Sequence, residues 1–238
     1  MQQGDIRLTA THQHSLSRYY SLQSTPVMPS ATTLGTTMTL TPPLLTLLRL
    51  TPLLSTTASL THAYMEFVTT SSFLSPAPTT SSLSKSMLRG EEPTSSPQDA
   101  AELAAAKQVV IPAWFVSFFN RGVCSVIGLN SITLASASVN LWVFREGLGI
   151  GRRYYLGGFV AAVAHYAFVP LVGESVSRLF VMCAEREKGR KGGREGKGPL
   201  IAVQELQAWV GFHKLRMCSV DVVAWVSFMV GAVNVLSR

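Results

Sequence analysis

Four residues near the C-terminus carry most of the chemistry this chain can offer: Trp209, His213, Arg216 and Asp221, within "LQAWVGFHKLRMCSVDVVAWVSF". At about 100° per helical residue the first three share a sector of about 60°, and Asp221 lies about 80° beyond His213. One helix face therefore collects an aromatic plate, a titratable imidazole and a permanent cation. Imidazole titrates near neutrality and can take a proton from a weak acid, and a guanidinium can stabilise the anion that results. Asp221, at the start of an apolar run, reads as a helix cap, or as an ion-pair partner of Arg216 or Arg121. The same face also reads as an interfacial amphipathic helix whose tryptophan and arginine snorkel to the membrane surface.

Other polar residues fall at similar depth in apolar segments: His62 and Glu66 at i and i+4, His165, and Trp114, Asn120 and Arg121. Ionisable groups within membrane segments are costly and mark sites by default. Three histidines and a carboxylate spread over separate helices, with no local H-x-x-x-H or E-x-x-H spacing, assign no metal. Cys124, Cys183 and Cys218 are an odd number without C-x-x-C spacing, so they indicate neither a disulfide framework nor a thiolate metal site. "GLGIG" at Gly147 lacks the spacing of a dinucleotide loop, and no P-loop is present.

The elements that must position these groups are apolar rods. Hydrophobic residues make up 47% of the chain against 14% charged, and mean hydropathy is +0.27, which points to a membrane protein. The net charge of +7 gathers in loops and forms no aromatic-studded basic face, so nucleic acid is not an expected partner. Four membrane segments are expected: about 44–74, 122–144, 154–172 and 220–236, the last extended by the amphipathic "LQAWVGFHKLRM". Gly128, Ser131, Ala135 and Ser138 are the small residues expected to let the second span approach its neighbours. The runs lack the alternation of a transmembrane barrel, so the expected fold is all-α, a membrane four-helix bundle running up-down-up-down.

Residues 1–42 are Ser/Thr-rich with one acidic residue, Asp5, and are expected to be a disordered N-terminal extension, read either as a targeting segment or as the product of a misassigned start codon. Residues 43–238 form the membrane domain, with flexible loops at about 75–97 and 185–199 and a further helix from about Pro97 to Asn120. The basic, glycine-rich "KGRKGGREGKG" from Lys188 reads as a solvated linker, with anionic lipid headgroups as its other reading. Positive charge between Arg178 and Arg216 favours long loops in the cytosol and termini on the far side.

"WVGFHKLRMCSVDVVAWVSFMVGAV" from Trp209 is similar to the terminal W-x-x-x-H-x-x-R element of the anthrone oxygenase-like family of small fungal integral membrane proteins, a domain of unknown function in many members. "IPAWFVSFFNRG" from Ile111 resembles that family's Trp-then-Arg-Gly approach to the second span, and "AHYAFVPLV" from Ala164 is a softer match; the likeness covers about residues 45–238. The resemblance implies a membrane-embedded, cofactor-independent monooxygenase that oxidises a phenolic polyketide intermediate in secondary-metabolite biosynthesis. It implies no flavin, haem or nicotinamide. It makes His213 and Arg216 the catalytic candidates and Trp209, Trp114 and Arg121 the substrate-binding ones, with Gly122 part of the motif; His165, by its place within the third span, is the further substrate-binding candidate. The partners expected are the lipid bilayer and a hydrophobic aromatic small molecule, and the expected location is an endomembrane, the endoplasmic reticulum or a vesicle. The alternative is a non-catalytic membrane accessory or scaffold protein whose polar faces hold the bundle together. A channel or transporter lacks the usual pointers, an inverted repeat or a ring of like charge.

Overall fold

The computed structural model describes residues 30–33, 36–75, 81–88, 96–189 and 201–237. Within them the chain is overwhelmingly helical. A short antiparallel pair, β1 (Ser30–Thr33) and β2 (Thr36–Thr39), precedes the helices, with Ser30 opposite Thr39 and Thr33 opposite Thr36. This corrects the expectation of a wholly disordered residue 1–42 segment over its last part; residues 1–29 lie outside the described residues.

Helix α1 (Pro42–Ser71) is followed by a 3-10 turn (Ser72–Leu74), and a short α2 (Ser82–Met87) occupies the connection expected to be loop. The rod α3 (Pro97–Ser138) continues through a π-turn (Val139–Val143). It starts at a capping box in which Ser96 Oγ accepts from the Asp99 N–H and Asp99 Oδ2 accepts from the Ser96 N–H. The third rod comprises α4 (Gly151–Ala164), a 3-10 turn (His165–Phe168) and α5 (Val169–Glu187). The fourth comprises α6 (Ile201–Arg216), a π-turn (Met217–Asp221) and α7 (Val222–Leu236). The helix expected over 97–120 and the second span are thus one rod, and α5 continues as helix into the expected 185–199 loop as far as Glu187. The glycine-rich run beyond residue 189 lies outside the described residues.

Cross-links at the two ends fix the direction of each rod. Near one end Asn140 meets Leu48, Tyr155 Oη donates to the Arg49 carbonyl at 2.5 Å, and Gly151 lies against Val235. Near the other, Lys107 donates to the Ser75 carbonyl, Arg178 to Glu205, and the Ala202 N–H to Gln108. The rods therefore alternate up, down, up, down.

Three rods, Pro97–Val143, Gly151–Glu187 and Ile201–Leu236, are long and apolar enough to cross a membrane. The first, at about 1.5 Å per residue, is about 70 Å long, over twice a hydrocarbon core of about 30 Å. The uncharged stretches from Gly122, Tyr154 and Val222 therefore belong to the bilayer, and the charged halves of α3, α5 and α6 extend beyond it. Helix α1, the first of the four expected spans and the one interrupted by Arg49, Pro52, His62 and Glu66, does not reach that hydropathy. It nonetheless turns Leu44, Leu47, Leu54, Met65 and Val68 outward and buries Ser55, Thr56, Glu66 and Thr70. Its outward hydroxyls on Thr51, Thr57 and Thr61 donate to carbonyls four residues back, so they need no water.

Three prolines shape the rods, and each leaves a carbonyl without its helical N–H partner. Pro52 frees the Leu48 carbonyl, and Asn140 Nδ2 donates to it at 2.9 Å. Pro112 frees the Gln108 carbonyl, and Arg186 donates to it and, at 2.7 Å, to Val109. Pro170 frees the Tyr166 carbonyl, which the Val169 N–H takes three residues back, tightening the rod into the 3-10 turn that carries His165.

Two apolar clusters fill the bundle. One joins α3, α4 and α7 through Leu141, Tyr155, Ala161 and Phe228; the other joins α3, α5 and α6 through Ile111, Phe115, Leu179, Leu206 and Trp209. Small residues set the approach of α4 to α7: a Cβ on Gly158 would meet the Phe228 ring at 2.8 Å, and one on Gly231 the Tyr155 ring at 2.7 Å. On α3, by contrast, Gly128, Ser131 and Ala135 face outward, and Asn130, Thr133 and Ala137 face the core. This corrects the expected packing stripe: the buried face is offset from it because Asn130 and Thr133 find polar partners inside, Asn130 Nδ2 at the Ala162 carbonyl and Thr133 at Ser55.

Candidate functional site

Between the two apolar clusters lies a layer of ionisable side chains contributed by three of the four rods. His165 comes from the 3-10 turn between α4 and α5, His213 and Arg216 from the end of α6, Asp221 from the π-turn and Glu66 from α1. The site thus sits where two rods depart from α-helical winding, and π-turns recur at functional sites.

The network is continuous. His165 Nδ1 lies 2.8 Å from Asp221 Oδ1. Arg216 Nε donates to the other oxygen, Asp221 Oδ2, at 3.2 Å, and an Arg216 terminal nitrogen reaches His213 Nδ1 at 3.3 Å. His213 Nε2 lies 2.8 Å from the Ala63 carbonyl on α1. Glu66 stands slightly apart, 3.8 Å from His213 Nδ1 through Oε2 and 3.6 Å from His62 Nδ1 through Oε1.

Donor and acceptor chemistry assigns the tautomers. A carbonyl only accepts, so His213 Nε2 carries the proton; a guanidinium only donates, so Nδ1 is the bare nitrogen and accepts from Arg216. Both nitrogens of His213 are therefore occupied, and the residue is 2% exposed. His165 differs. Its Nδ1–H donates to Asp221, and no hydrogen bond among the described residues reaches Nε2. A carboxylate that holds an imidazole in this way fixes its orientation and tautomer.

Glu66, His165, His213 and Arg216 line one cavity of about 340 Å³, together with Trp209, Asn130 and largely apolar side chains of α3, the 3-10 turn, α5 and α6; Asp221 lies behind His165 and Arg216 and is not part of the lining. That volume is at the small end of the range for small-molecule pockets, about 300–1,000 Å³. Trp209 stacks on His213, with ring centroids 4.8 Å apart and planes 16° from parallel. At the rim Ile127, Tyr166 and Val169 are exposed between α3 and α5, so the cavity opens toward the apolar surroundings of the bundle.

The sequence-selected residues divide into two groups. Trp209, His213, Arg216 and His165 come together around the cavity. Trp114 and Arg121 do not: with His62, Ser117, Phe118, Gly122 and Ser125 they line a separate groove between α1 and α3. Trp114 stacks with Phe118 and packs against Phe73, and Gly122 is the thin point between groove and cavity, where a Cβ would lie 3.0 Å from Glu66 Oε1. Of the two readings of Asp221, cap and ion-pair partner, the structure has the second: it makes no capping hydrogen bond and pairs with Arg216, and also with His165, because the π-turn underwinds the rod and returns it toward the face of His213. Its link to His165 spans 56 residues of sequence and left no local signal. Among the described residues no group of three or more His, Cys, Asp or Glu is arranged to hold a metal ion.

Comparison with family models, with curated proteins and with solved structures gives no match to this chain.

Proposed function

We propose that the protein is a membrane-embedded oxidoreductase that takes an acidic, electron-rich aromatic molecule of the anthrone or phenol class from the bilayer and activates it for reaction with dioxygen. The observation that carries this reading is the Nε2 of His165, unpartnered among the described residues, on a ring held by Asp221 in a largely apolar cavity that Arg216 also lines. In this reading His165 Nε2 removes a proton from the substrate, Asp221 stabilises the imidazolium, and Arg216 stabilises the oxyanion of the conjugated base. The electron-rich anion then passes electrons to dioxygen. For an anthrone methylene, the C–H bonds are replaced by a carbonyl, one oxygen atom enters the product and the other leaves as water. The proton acceptor is thus His165, and His213, with both nitrogens engaged, is a positioning residue for Arg216.

Oxygen uptake by the purified protein in lipid nanodiscs, with anthrone as substrate, tests the reading. His165→Gln is expected to lower turnover by about 10²–10⁴-fold, the usual range for general-base loss. Uptake by the wild type no faster than in empty nanodiscs contradicts it.

A specific observation also favours the non-catalytic reading. The same network ties α1 to α6 through His213 and Ala63, and the third rod to the fourth through His165 and Asp221, as a structural clamp would. A clamp alone predicts that His165→Gln lowers thermal stability in a wild type that consumes no oxygen.

A further inference from the structure

Glu66 stands between two chambers at different depths. The groove between α1 and α3 takes Trp114, Ser117, Phe118 and Arg121 from the water side of the uncharged run that begins at Gly122; it measures about 480 Å³ and is the more open of the two. The cavity takes Val123, Val126, Ile127 and Asn130 from within that run. Where the two approach, at Gly122, the Glu66 carboxyl fills the gap: a Cβ there would lie 3.0 Å from Oε1 and 3.8 Å from His62 Cε1.

Glu66 is buried, and among the described residues its carboxyl makes no hydrogen bond. Buried polar groups are as a rule hydrogen-bonded, and an ionisable side chain beside hydrocarbon that is not points to a function. Its two oxygens face different neighbours. Oε1 lies 3.6 Å from His62 Nδ1, which is itself buried without a hydrogen-bond partner, while the His62 side chain as a whole is 30% exposed and lines the groove. Oε2 lies 3.8 Å from His213 Nδ1 in the cavity wall. His213 can neither take a proton from Glu66 nor share a metal with it, because Arg216 engages Nδ1 and the Ala63 carbonyl engages Nε2. The other charged and titratable groups around the carboxyl are Arg216 of α6, Asp221 of the π-turn and His165 of the 3-10 turn, all held in the cavity network, and Arg121 of α3 in the groove.

We infer that Glu66 and His62 form a proton path between water in the groove and the membrane-side cavity. Glu66 takes up a proton in the cavity and passes it from Oε1 to the lone pair of His62 Nδ1; His62 then releases the proton of its other nitrogen to groove water, and rotation of the ring resets it. The reverse sequence carries a proton inward, and each passage leaves the path with its starting charge. The 3.6 Å gap closes by a small side-chain rotation or through one bridging water. The missing Cβ of Gly122 is what admits the carboxyl between the two chambers. The inference stands apart from the oxidative reading, and its test uses no substrate.

Infrared spectroscopy of the full chain in lipid nanodiscs tests this through the carboxylic C=O stretch that the wild type shows on the acid side of its titration and Glu66→Gln lacks. On rapid mixing with heavy water that band is expected to shift within the mixing time in the wild type. It is expected to shift about 10²-fold more slowly in His62→Leu, which removes the carrier, and in Gly122→Ala, which puts a methyl group in the gap, the low end of what a positioned proton-transfer group contributes. Ile127→Trp, which narrows the cavity's membrane-side mouth, is expected to exchange like the wild type. The amide band of the same spectra shows whether each variant is folded. The inference is overturned if Glu66 gives no carboxylic band at any pH at which the protein is folded, if either folded variant, His62→Leu or Gly122→Ala, exchanges as fast as the wild type, or if Ile127→Trp slows exchange as much as they do.

Discussion

Two histidines enter the same cavity, and their hydrogen bonds give them different work. His213 donates to the Ala63 carbonyl and accepts from Arg216, so its removal takes a second hydrogen bond from a carbonyl already bonded within α1 and leaves the guanidinium with one support fewer. His213→Ala is expected to cost about 0.5–1.5 kcal/mol of stability for each hydrogen bond it loses, and to lower Tm in a thermal melt. His165 lies in the same layer but keeps one nitrogen for a guest. Asp221→Asn retains the side-chain volume while removing the anion that orients His165. Oxygen uptake with anthrone is therefore expected to fall by about 10²-fold or more, with a smaller change in Tm than for His213→Ala. Equal Tm losses in the two variants, with unchanged uptake, would assign both residues to the scaffold.

At the scale of elements, breaks in regular winding bring the site together. The spacing of Trp209, His213 and Arg216 follows α-helical periodicity, so their shared face was legible in the sequence. The pairing of Asp221 with Arg216 was legible as one option, but its link to His165 was not, because that depends on the π-turn at Met217–Asp221, and the pattern of residues there gives no sign of an extra residue in the turn. The prolines behave similarly: Pro52 was readable as an interruption, but the donor that compensates it, Asn140, comes from another rod. This pairing yields a double-mutant test. Asn140→Leu is expected to cost about 1–3 kcal/mol by orphaning the Leu48 carbonyl. Pro52→Ala, which restores the helical N–H, is expected to recover part of that loss in the double variant; strict additivity of the two effects in denaturation would contradict the compensation. The small residues give a second test. Gly231→Ala places a methyl group 2.7 Å from the Tyr155 ring and is expected to destabilise by about 1–3 kcal/mol through overpacking, whereas Gly128→Ala, in open space, leaves Tm unchanged or raises it.

At the scale of the whole molecule, composition and the long apolar runs were enough to indicate helical rods in a membrane. They could not say that the rods extend well past the hydrocarbon, since that requires α3 to continue unbroken through Pro112 and Gly122. Nor could they separate Trp114 and Arg121 from the cavity, because the direction a residue faces on α3 is set by which neighbour packs beside it. The alternating rods make a topological prediction. In a cysteine-free background, Thr41→Cys and Ser75→Cys flank α1 and are expected to react with a membrane-impermeant maleimide from opposite sides of sealed vesicles. Labelling from the same side would remove α1 from the bilayer and leave three spans.

The account rests on an unprotonated His165 nitrogen and the Arg216 cation acting on one guest in an apolar chamber, and the absorption spectrum of that guest reads this most directly. Anthrone mixed anaerobically with the protein in nanodiscs is predicted to show the spectrum of its conjugate base at a pH where it remains neutral in empty nanodiscs. His165→Gln is predicted to bind anthrone with the neutral spectrum. An unshifted spectrum with the wild type, or an identical shift in His165→Gln, would contradict the account.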